Sequence, residues 1–240
     1  MTPVLCAGMV RSGSTLQFQL AAAIVEAARA GERLAWEAEP ALERTLDAIR
    51  GESGLRVVKA HVCTPGLAGW ARGGAPVLYV HRDLREVAAS LMRKFRIGID
   101  ELLARRWLDG AIAAYAAWTS MPNVLVRRYG ELVGDPAAEA VRIHDFLAPW
   151  LGDRRLPEPR LSEIGRDHDL PRQRQRVAEL VERHGREIGA DEMLFDPREL
   201  LHHDHFGAAG MAEGLAPEGR AELSARFRDW LRAAGYRADA

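Results

Sequence analysis

The sequence predicts an α/β protein with a three-layer α/β/α arrangement, in which helices cover both faces of a mainly parallel central sheet. Two observations predict this fold class. Short apolar runs typical of buried strands recur along the first half of the chain, and longer segments with helical spacing of apolar residues lie between them. Parallel strands are joined by helical crossovers, so this alternation implies a parallel sheet covered on both sides. The four clearest runs are Val4–Ala7, Leu55–Ala60, Pro76–Val80 and Asn123–Arg127.

The elements up to residue 95 alternate as that fold class requires. Leu16–Arg29 is rich in Ala and Leu and is followed by a glycine, which predicts a helix that ends there. A short strand is predicted at Leu34–Glu37. Apolar residues lie on one face of Pro40–Arg50 and recur every four residues over Leu84–Phe95, which predicts two further helices. Residues 66–76 are rich in glycine and are predicted to be loop with some helix.

The second half of the chain is predicted to be mostly helical. Residues 97–120 form a helical stretch with aromatic anchors. Asp135 can cap a helix and Pro136 suits the first helical position, so a helix is predicted to begin there. Residues 152–171 hold three prolines and many charges, and they are predicted to be the most loop-like section. The remaining predicted helices are Gln173–Gly185 and a final one that opens at Pro217.

A glycine loop between the first strand and the first helix is the strongest motif. Four residues separate Gly8 from Gly13, and Ser14 and Thr15 follow, which is the spacing of a phosphate-binding P-loop. Glycines let the backbone fold around an anion, and the amides at the start of the helix point at it. Ser14 stands where nucleotide triphosphatases have Lys, and Arg11 is the only cation in the loop. The motif predicts a P-loop NTPase-like fold and an oxyanion site.

Length and composition exclude several classes of protein. The 240 residues predict one domain, 1–240, with a core at about 1–150 and a helical C-terminal part at about 151–240. A formal net charge of −1 gives no global field for nucleic acid or an anionic membrane. Two cysteines are too few for a disulfide framework, which favours a cytoplasmic location. No apolar stretch reaches the ~18 residues of a membrane span, and the first residues lack the basic region of a secretory signal.

Polar side chains follow each of the four predicted strands. In parallel sheets, ligands bind beyond the carboxyl ends of the strands, so these side chains should converge. The strands are followed in turn by Arg11, Ser12, Ser14 and Thr15; by Lys59 and His61; by His81, Arg82 and Asp83; and by Arg127, Arg128 and Tyr129. At least five cations would then surround one phosphate loop. We therefore expect a ligand with more than one anionic group.

Lys59 and His61 are the candidate catalytic pair. They lie two residues apart at a strand end, so their side chains project to the same side. Histidine can abstract a proton near neutral pH, and a neighbouring Lys favours its neutral, basic form. Taken alone, a histidine after a strand is more often an ordinary loop residue. Its pairing with Lys59 beside a phosphate loop favours a base.

Arg82 and Ser90 form a second candidate site for an anion. Arg82 ends the strongest predicted strand, and Ser90 lies eight residues later in the next helix. An Arg there can bind a phosphate with two hydrogen bonds, and a hydroxyl can add another. The alternative is that Arg82 pairs with Asp83 or Glu86 and that Ser90 makes a helix contact. The spacing alone leaves both open.

Four segments in this order resemble the sulfotransferases that use 3′-phosphoadenosine 5′-phosphosulfate (PAPS). Gly8–Leu16 resembles their 5′-phosphosulfate loop, commonly Pro-(Lys or Arg)-Ser-Gly-(Thr or Ser)-Thr, and Arg11 matches the basic position. Lys59–His61 is similar to the Lys-x-His element that carries the catalytic base. Val77–Ser90 resembles the segment whose Arg, and a Ser eight residues later, bind the 3′-phosphate. Val124–Leu132 resembles the Arg-Tyr-Glu-Asp-Leu strand and helix, in which the Tyr often contacts adenine.

The resemblance implies sulfuryl transfer from PAPS to an acceptor hydroxyl, with release of adenosine 3′,5′-bisphosphate (PAP). It implies that His61 takes the acceptor proton and that Lys59 stabilises the charge that develops during transfer. No metal is required, because the chain supplies the cations. The acceptor, whether carbohydrate, lipid or small-molecule metabolite, and the oligomeric state are left open. The implied donor-binding residues are Arg11, Ser12, Gly13, Ser14, Thr15, Arg82, Ser90 and Tyr129.

Two features depart from that family. Arg82 is followed by Asp83 and Leu84, where the family often has Asn-Pro, and residues 202–214 offer histidines and glycines where many members have a late Arg-Lys-Gly loop on the 3′-phosphate. His202 and His205 could share a helical face and bind a metal, but no fourth ligand is near in sequence. We expect a polar helix end that borders the acceptor cleft instead.

Two other functions fit parts of the sequence. An ATP-dependent small-molecule kinase could use the same loop, with Asp83 as a metal ligand. The missing Lys at Ser14, and Arg82 between the strand and that acid, weigh against it. A protein that binds a nucleotide or partner without catalysis is the second alternative, and the presence of both Lys59 and His61 argues against it.

Overall fold

The computed structural model describes residues 1–184, 195–196, 200–202 and 215–237. Each of the first five strands is followed by one or more helices, and the described residues beyond 151 are mostly helical with two short strands. The elements in chain order are β1 (Thr2–Gly8), α1 (Ser14–Ala27), β2 (Gly31–Arg33), α2 (Glu39–Ala48), β3 (Leu55–Ala60), α3 (Pro65–Arg72), β4 (Val77–His81), α4 (Leu84–Phe95), α5 (Ile99–Ala104), α6 (Trp107–Thr119), β5 (Val124–Arg128), α7 (Tyr129–Gly134), α8 (Pro136–Leu151), α9 (Glu158–Asp167), α10 (Leu170–His184), β6 (Phe195–Asp196), β7 (Leu201–His202), α11 (Pro217–Arg226) and α12 (Arg228–Ala233).

The central sheet has five parallel strands in the order β2-β3-β1-β4-β5. The central strand β1 and its neighbour β4 are buried on both faces, since Val4–Ala7 and Val77–Val80 have no exposed side chain. That is why these segments are continuous apolar runs without alternation. Because the strands are parallel, their carboxyl ends meet at one edge, and the loop after β1 lies beside the ends of β3 and β4.

Helices cover both faces of this sheet, which confirms the predicted three-layer α/β/α fold. On one face, α1 and α8 pack on outward side chains of β1, β3 and β4, with Phe18 and Ile143 among the buried residues. On the other face, Leu5, Val58 and Tyr79 pack against α2, α3 and the buried ring of Trp118. A third apolar cluster joins α4, α5, α6, α11 and α12 beyond the carboxyl end of β4.

The second strand lies at Gly31–Arg33, so the predicted strand at Leu34–Glu37 was wrong. Gly31 faces Leu55 so closely that a Cβ added there would lie 2.0 Å from the Leu55 carbonyl oxygen. A glycine that looks like a helix terminator thus also permits the strand pairing that follows.

Helices occur both in the section predicted to be most loop-like and in the stretch predicted to be loop with some helix. The section predicted to be most loop-like holds α9 and the start of α10, because Pro159 falls in the first turn of α9, where its missing N–H costs nothing. Gly165 lets α9 approach α8, since a Cβ there would lie 2.3 Å from the Ala137 Cα. In the glycine-rich stretch, α3 forms with Thr64 accepting a bond from the Leu67 amide. The final predicted helix is two, α11 and α12, divided at Phe227.

Candidate functional site

The loop between β1 and α1 has the geometry that binds an anion. Gly13 occupies the position before the helix with φ of +84°, and Arg11 also has a positive φ of 63°. No side chain caps α1, so the amides of its first turn are available to an oxyanion. A Cβ on Gly13 would lie 2.9 Å from the Tyr129 ring, so both the backbone angle and the space require glycine.

Ser12 contributes to this loop from the inside. Its hydroxyl lies 2.5 Å from the Met9 carbonyl oxygen and 2.9 Å from the Val80 carbonyl oxygen, and the residue is fully buried. The side chain therefore fastens the loop to the end of β4. The Ser12 amide also donates to the Met9 carbonyl oxygen, over 3.2 Å, so both polar groups of Ser12 shape the loop.

Lys59 lies at the mouth of the loop. Its ammonium donates to the Thr15 hydroxyl over 2.9 Å, which joins the end of β3 to the first turn of α1. Burial lowers the pKa of Lys59 to about 8, with a further contribution from the charge of Arg11. A hydroxyl rather than a carboxylate is its bonded partner, so this cation keeps its charge available for an anion.

One ring nitrogen of His61 is hydrogen-bonded to the backbone. Its Nδ1 lies 2.8 Å from the Gly8 carbonyl oxygen, which can only accept, so Nδ1 carries the hydrogen and Nε2 carries the lone pair. The backbone is fixed as well, because the His61 amide donates to the Glu39 carboxylate and the His61 carbonyl accepts from Trp118. Burial lowers the pKa of His61 to about 4, and the charge of Lys59 adds to the effect. The imidazole is therefore neutral at neutral pH.

Arg82, Arg11 and Ser90 meet on the other side of the loop. Arg82 Nη1 approaches the Arg11 carbonyl oxygen at 3.4 Å, and Arg11 Nε donates to the Ser90 hydroxyl over 2.8 Å. The Arg82 guanidinium lies 4.1 Å from the centre of the Tyr129 ring and bonds through Nε to the Glu86 carboxylate at 2.6 Å. Arg82 thus pairs with Glu86, as the alternative reading has it, and also lies beside the loop; that it binds a phosphate stays a prediction.

Two of the expected cations do not join this group. Arg127 turns to α8 and bonds the fully buried Glu139 carboxylate through Nε at 2.9 Å and Nη2 at 2.7 Å. Arg128 points to the Tyr236 ring, 5.7 Å away. The prediction that both would converge on the phosphate loop was wrong, because a buried carboxylate from a distant helix binds the first one.

The Asp83 carboxylate is bonded to a residue of its own turn, Arg85. Its carboxylate accepts from the Arg85 amide as the cap of α4 and also binds the Arg85 guanidinium at 2.6 Å. Arg85 in turn donates to the Ser224 hydroxyl and to the Arg237 carbonyl oxygen, over 3.1 and 2.7 Å. The acid that a kinase would need for its metal therefore serves to fasten the C-terminal segment.

His81 belongs to the same connection. It is 4% exposed, and its Nδ1 lies 3.0 Å from the Tyr236 hydroxyl. The rings of Tyr115, Trp230 and Tyr236 surround it edge-on. Burial lowers the pKa of His81 to about 4, with the charge of Arg128 adding to it. His81 is thus part of the packing and not a second base.

The sequence gives no sign of one residue of the site, Glu39. Glu39 orders the His61–Val62 backbone from 22 residues away, at the start of α2, and nothing in the local pattern points to it. Of the histidine cluster, residues 203–205 lie outside the described part of the chain. Among the residues that are described, no group of three or more His, Cys, Asp or Glu side chains is placed to hold a metal ion. None of the described helices is long and apolar enough to cross a membrane.

No protein-family model matches this chain, and no curated protein matches its sequence. Solved structures do match it. Retinol dehydratase in complex with androsterone and the inactive cofactor PAP is 18% identical with a TM-score of 0.63, over 98% of this chain and 82% of that one. Retinol dehydratase with retinol and PAP is 19% identical with a TM-score of 0.64 over the same shares. Mouse sulfotransferase SULT7A1 complexed with PAP is 12% identical with a TM-score of 0.64, over 96% of this chain and 84% of that one. This chain has the fold of those proteins.

Proposed function

We propose that this protein transfers a sulfuryl group from PAPS to the hydroxyl of an acceptor, and that PAP is the product it releases. The observation that supports this most is the arrangement of cations around one glycine loop, with Lys59 bonded to Thr15 on one side and Arg82 beside the Arg11 carbonyl on the other. A donor with an anionic group at each end fits cations on both sides of the loop better than a single phosphate does. The bound PAP in the three structural neighbours supports the same assignment.

In this proposal each side chain has one role. His61 Nε2 accepts the proton of the acceptor hydroxyl as the oxygen bonds to sulfur. Lys59 and the amides of the loop stabilise the oxygen of the 5′-phosphate from which the sulfuryl group departs. Arg82 and Ser90 bind the 3′-phosphate and set the register of the donor, and Tyr129 contacts the adenine. The acceptor oxygen bonds to sulfur as the bond between sulfur and the 5′-phosphate oxygen breaks. The acceptor proton is then on His61, and PAP is the leaving group.

The side chains beside His61 favour an acceptor with an apolar body. Val62 follows the base directly and is 56% exposed, and Trp36 is 46% exposed. Glu39 binds the amides of His61 and Val62, so Val62 lies beside the proposed base, and Trp36 precedes Glu39 by three residues. A lipid or an apolar small molecule with a hydroxyl fits this edge better than a carbohydrate.

Nucleotide binding separates this proposal from a kinase. Titration calorimetry without metal should show PAP binding, and ATP with magnesium should bind far more weakly, because Ser14 replaces the P-loop Lys and Asp83 is bonded to Arg85. Preference for ATP with magnesium would overturn the assignment.

The role of His61 is tested with His61→Asn, whose amide can still donate to the Gly8 carbonyl. Release of PAP from PAPS is followed in the presence of a panel of alcohols, phenols and sterols. The variant should bind PAP as the wild type does and transfer ~10²- to 10⁴-fold more slowly. Normal transfer by this variant would show that another group is the base.

A further inference from the structure

The Arg82 guanidinium is almost buried, with 7% of its side chain exposed. Buried cations need a counter-charge, because an unpaired one is costly in a low-dielectric environment. Glu86, one turn later in α4, supplies it through a 2.6 Å contact with Arg82 Nε. Only Nε makes this bond, while Nη1 faces the Arg11 carbonyl and the guanidinium face lies on the Tyr129 ring. The arginine is thus fixed in place by the chain itself.

The two sides of the proposed donor site therefore differ. Lys59, on the 5′ side, bonds a neutral hydroxyl, and its pKa is lowered to about 8, mainly by burial. Arg82, on the 3′ side, already has a carboxylate within bonding distance. A phosphate bound at the remaining edge of the Arg82 guanidinium would lie near the Glu86 carboxylate, at the ~4–6 Å over which like charges oppose each other.

We propose that Glu86 is a built-in counter-ion of the 3′-phosphate site, which stabilises Arg82 in the absence of the donor and weakens the binding of the 3′-phosphate. This inference rests on the proposed function. Its consequence is a limit on how tightly the product PAP is held, set by a side chain that does not contact the product.

Replacement of Glu86 by a neutral residue should therefore have two linked effects. The protein alone should become less stable, because Arg82 loses its counter-ion. PAP should bind more tightly, because its phosphate no longer faces a carboxylate and also restores the missing charge. For like charges at a partly hydrated edge, we expect about a tenfold gain in affinity.

The experiment compares the wild type with Glu86→Gln and with a matched control. Glu101→Gln removes an ion pair of the same length and four-residue spacing at a more exposed place, since Glu101 bonds Arg105 at 2.6 Å at the end of α5. Calorimetric titrations use PAP and adenosine 5′-phosphate, which lacks the 3′-phosphate. Glu86→Gln should bind PAP about tenfold more tightly and change the affinity for adenosine 5′-phosphate less than twofold. Glu101→Gln should change neither.

The other outcomes overturn the proposal. Weaker PAP binding by Glu86→Gln would mean that Glu86 serves to aim Arg82, and equal shifts for both nucleotides would mean a general field effect. If Glu86→Gln does not fold alone, millimolar PAP should restore its folding in a thermal scan, and failure to do so would also refute the inference. Absence of PAP binding by the wild type would instead refute the proposed function.

Discussion

His61 should make the protein sensitive to mild acid. Its pKa is about 4 in the folded chain and about 6.5 in the unfolded chain, so the unfolded state binds more protons between those values. The stability from the neutral imidazole is complete above pH 6.5 and is lost as the pH falls toward 4. Integrating that difference from pH 8 to pH 5 gives a loss of ~2 kcal/mol in the free energy of unfolding from this one residue.

Urea unfolding at pH 8 and pH 5 measures this loss in the wild type and in His61→Asn. The other titrating groups are common to both proteins, so the difference between the two losses isolates His61. The wild type should lose ~2 kcal/mol more than the variant over this interval. Equal losses would refute the reasoning, because they would show that the imidazole takes up its proton without unfolding the site. His81→Gln should reduce the acid loss independently, since the pKa of His81 is also lowered to about 4.

Three further predictions concern the loop and its neighbours. Gly13→Ala should lower the free energy of unfolding in urea by ~2 kcal/mol or more, because Gly13 has a positive φ and an added Cβ would clash with the Tyr129 ring. Gly51→Ala is the control and should have little effect, because the space around Gly51 is open. PAP affinity of the wild type, measured by calorimetry, should fall about tenfold from pH 7 to pH 9 as Lys59 loses its proton, and Lys59→Gln should remove that dependence. Arg127→Ala should lower the free energy of unfolding in urea by ~3 kcal/mol, because it leaves the buried Glu139 carboxylate poorly paired. The same variant should bind PAP with unchanged affinity. A selective loss of PAP affinity would mean that Arg127 does contact the donor.

The sheet could be predicted because its signals are local. Short continuous apolar runs such as Val77–Val80 are typical of buried strands between helices, and the glycine loop indicates where the first strand ends. The errors arose where a glycine or a proline had a second role. Gly31 opens a strand, and Pro159 sits harmlessly in the first turn of a helix. Such cases depend on what approaches the residue in space, which composition does not record.

The site was predictable to the extent that it lies at strand ends. Lys59, His61 and Arg82 gather at the loop because parallel strands finish at one edge. Which cations stay there is decided by carboxylates that are distant in sequence. Glu139 removes Arg127 from the group, and Glu39 orders the backbone of His61. No spacing rule links these partners, so only the folded chain shows them.

The fastening of the C-terminal segment has a practical consequence. Arg85 donates to the Arg237 carbonyl oxygen, and the Tyr236 hydroxyl is hydrogen-bonded to His81. The last described residues therefore pack against the turn that contains Arg82. Shortening the chain before residue 235 would cut these ties and loosen the turn before α4 from more than 150 positions away in sequence.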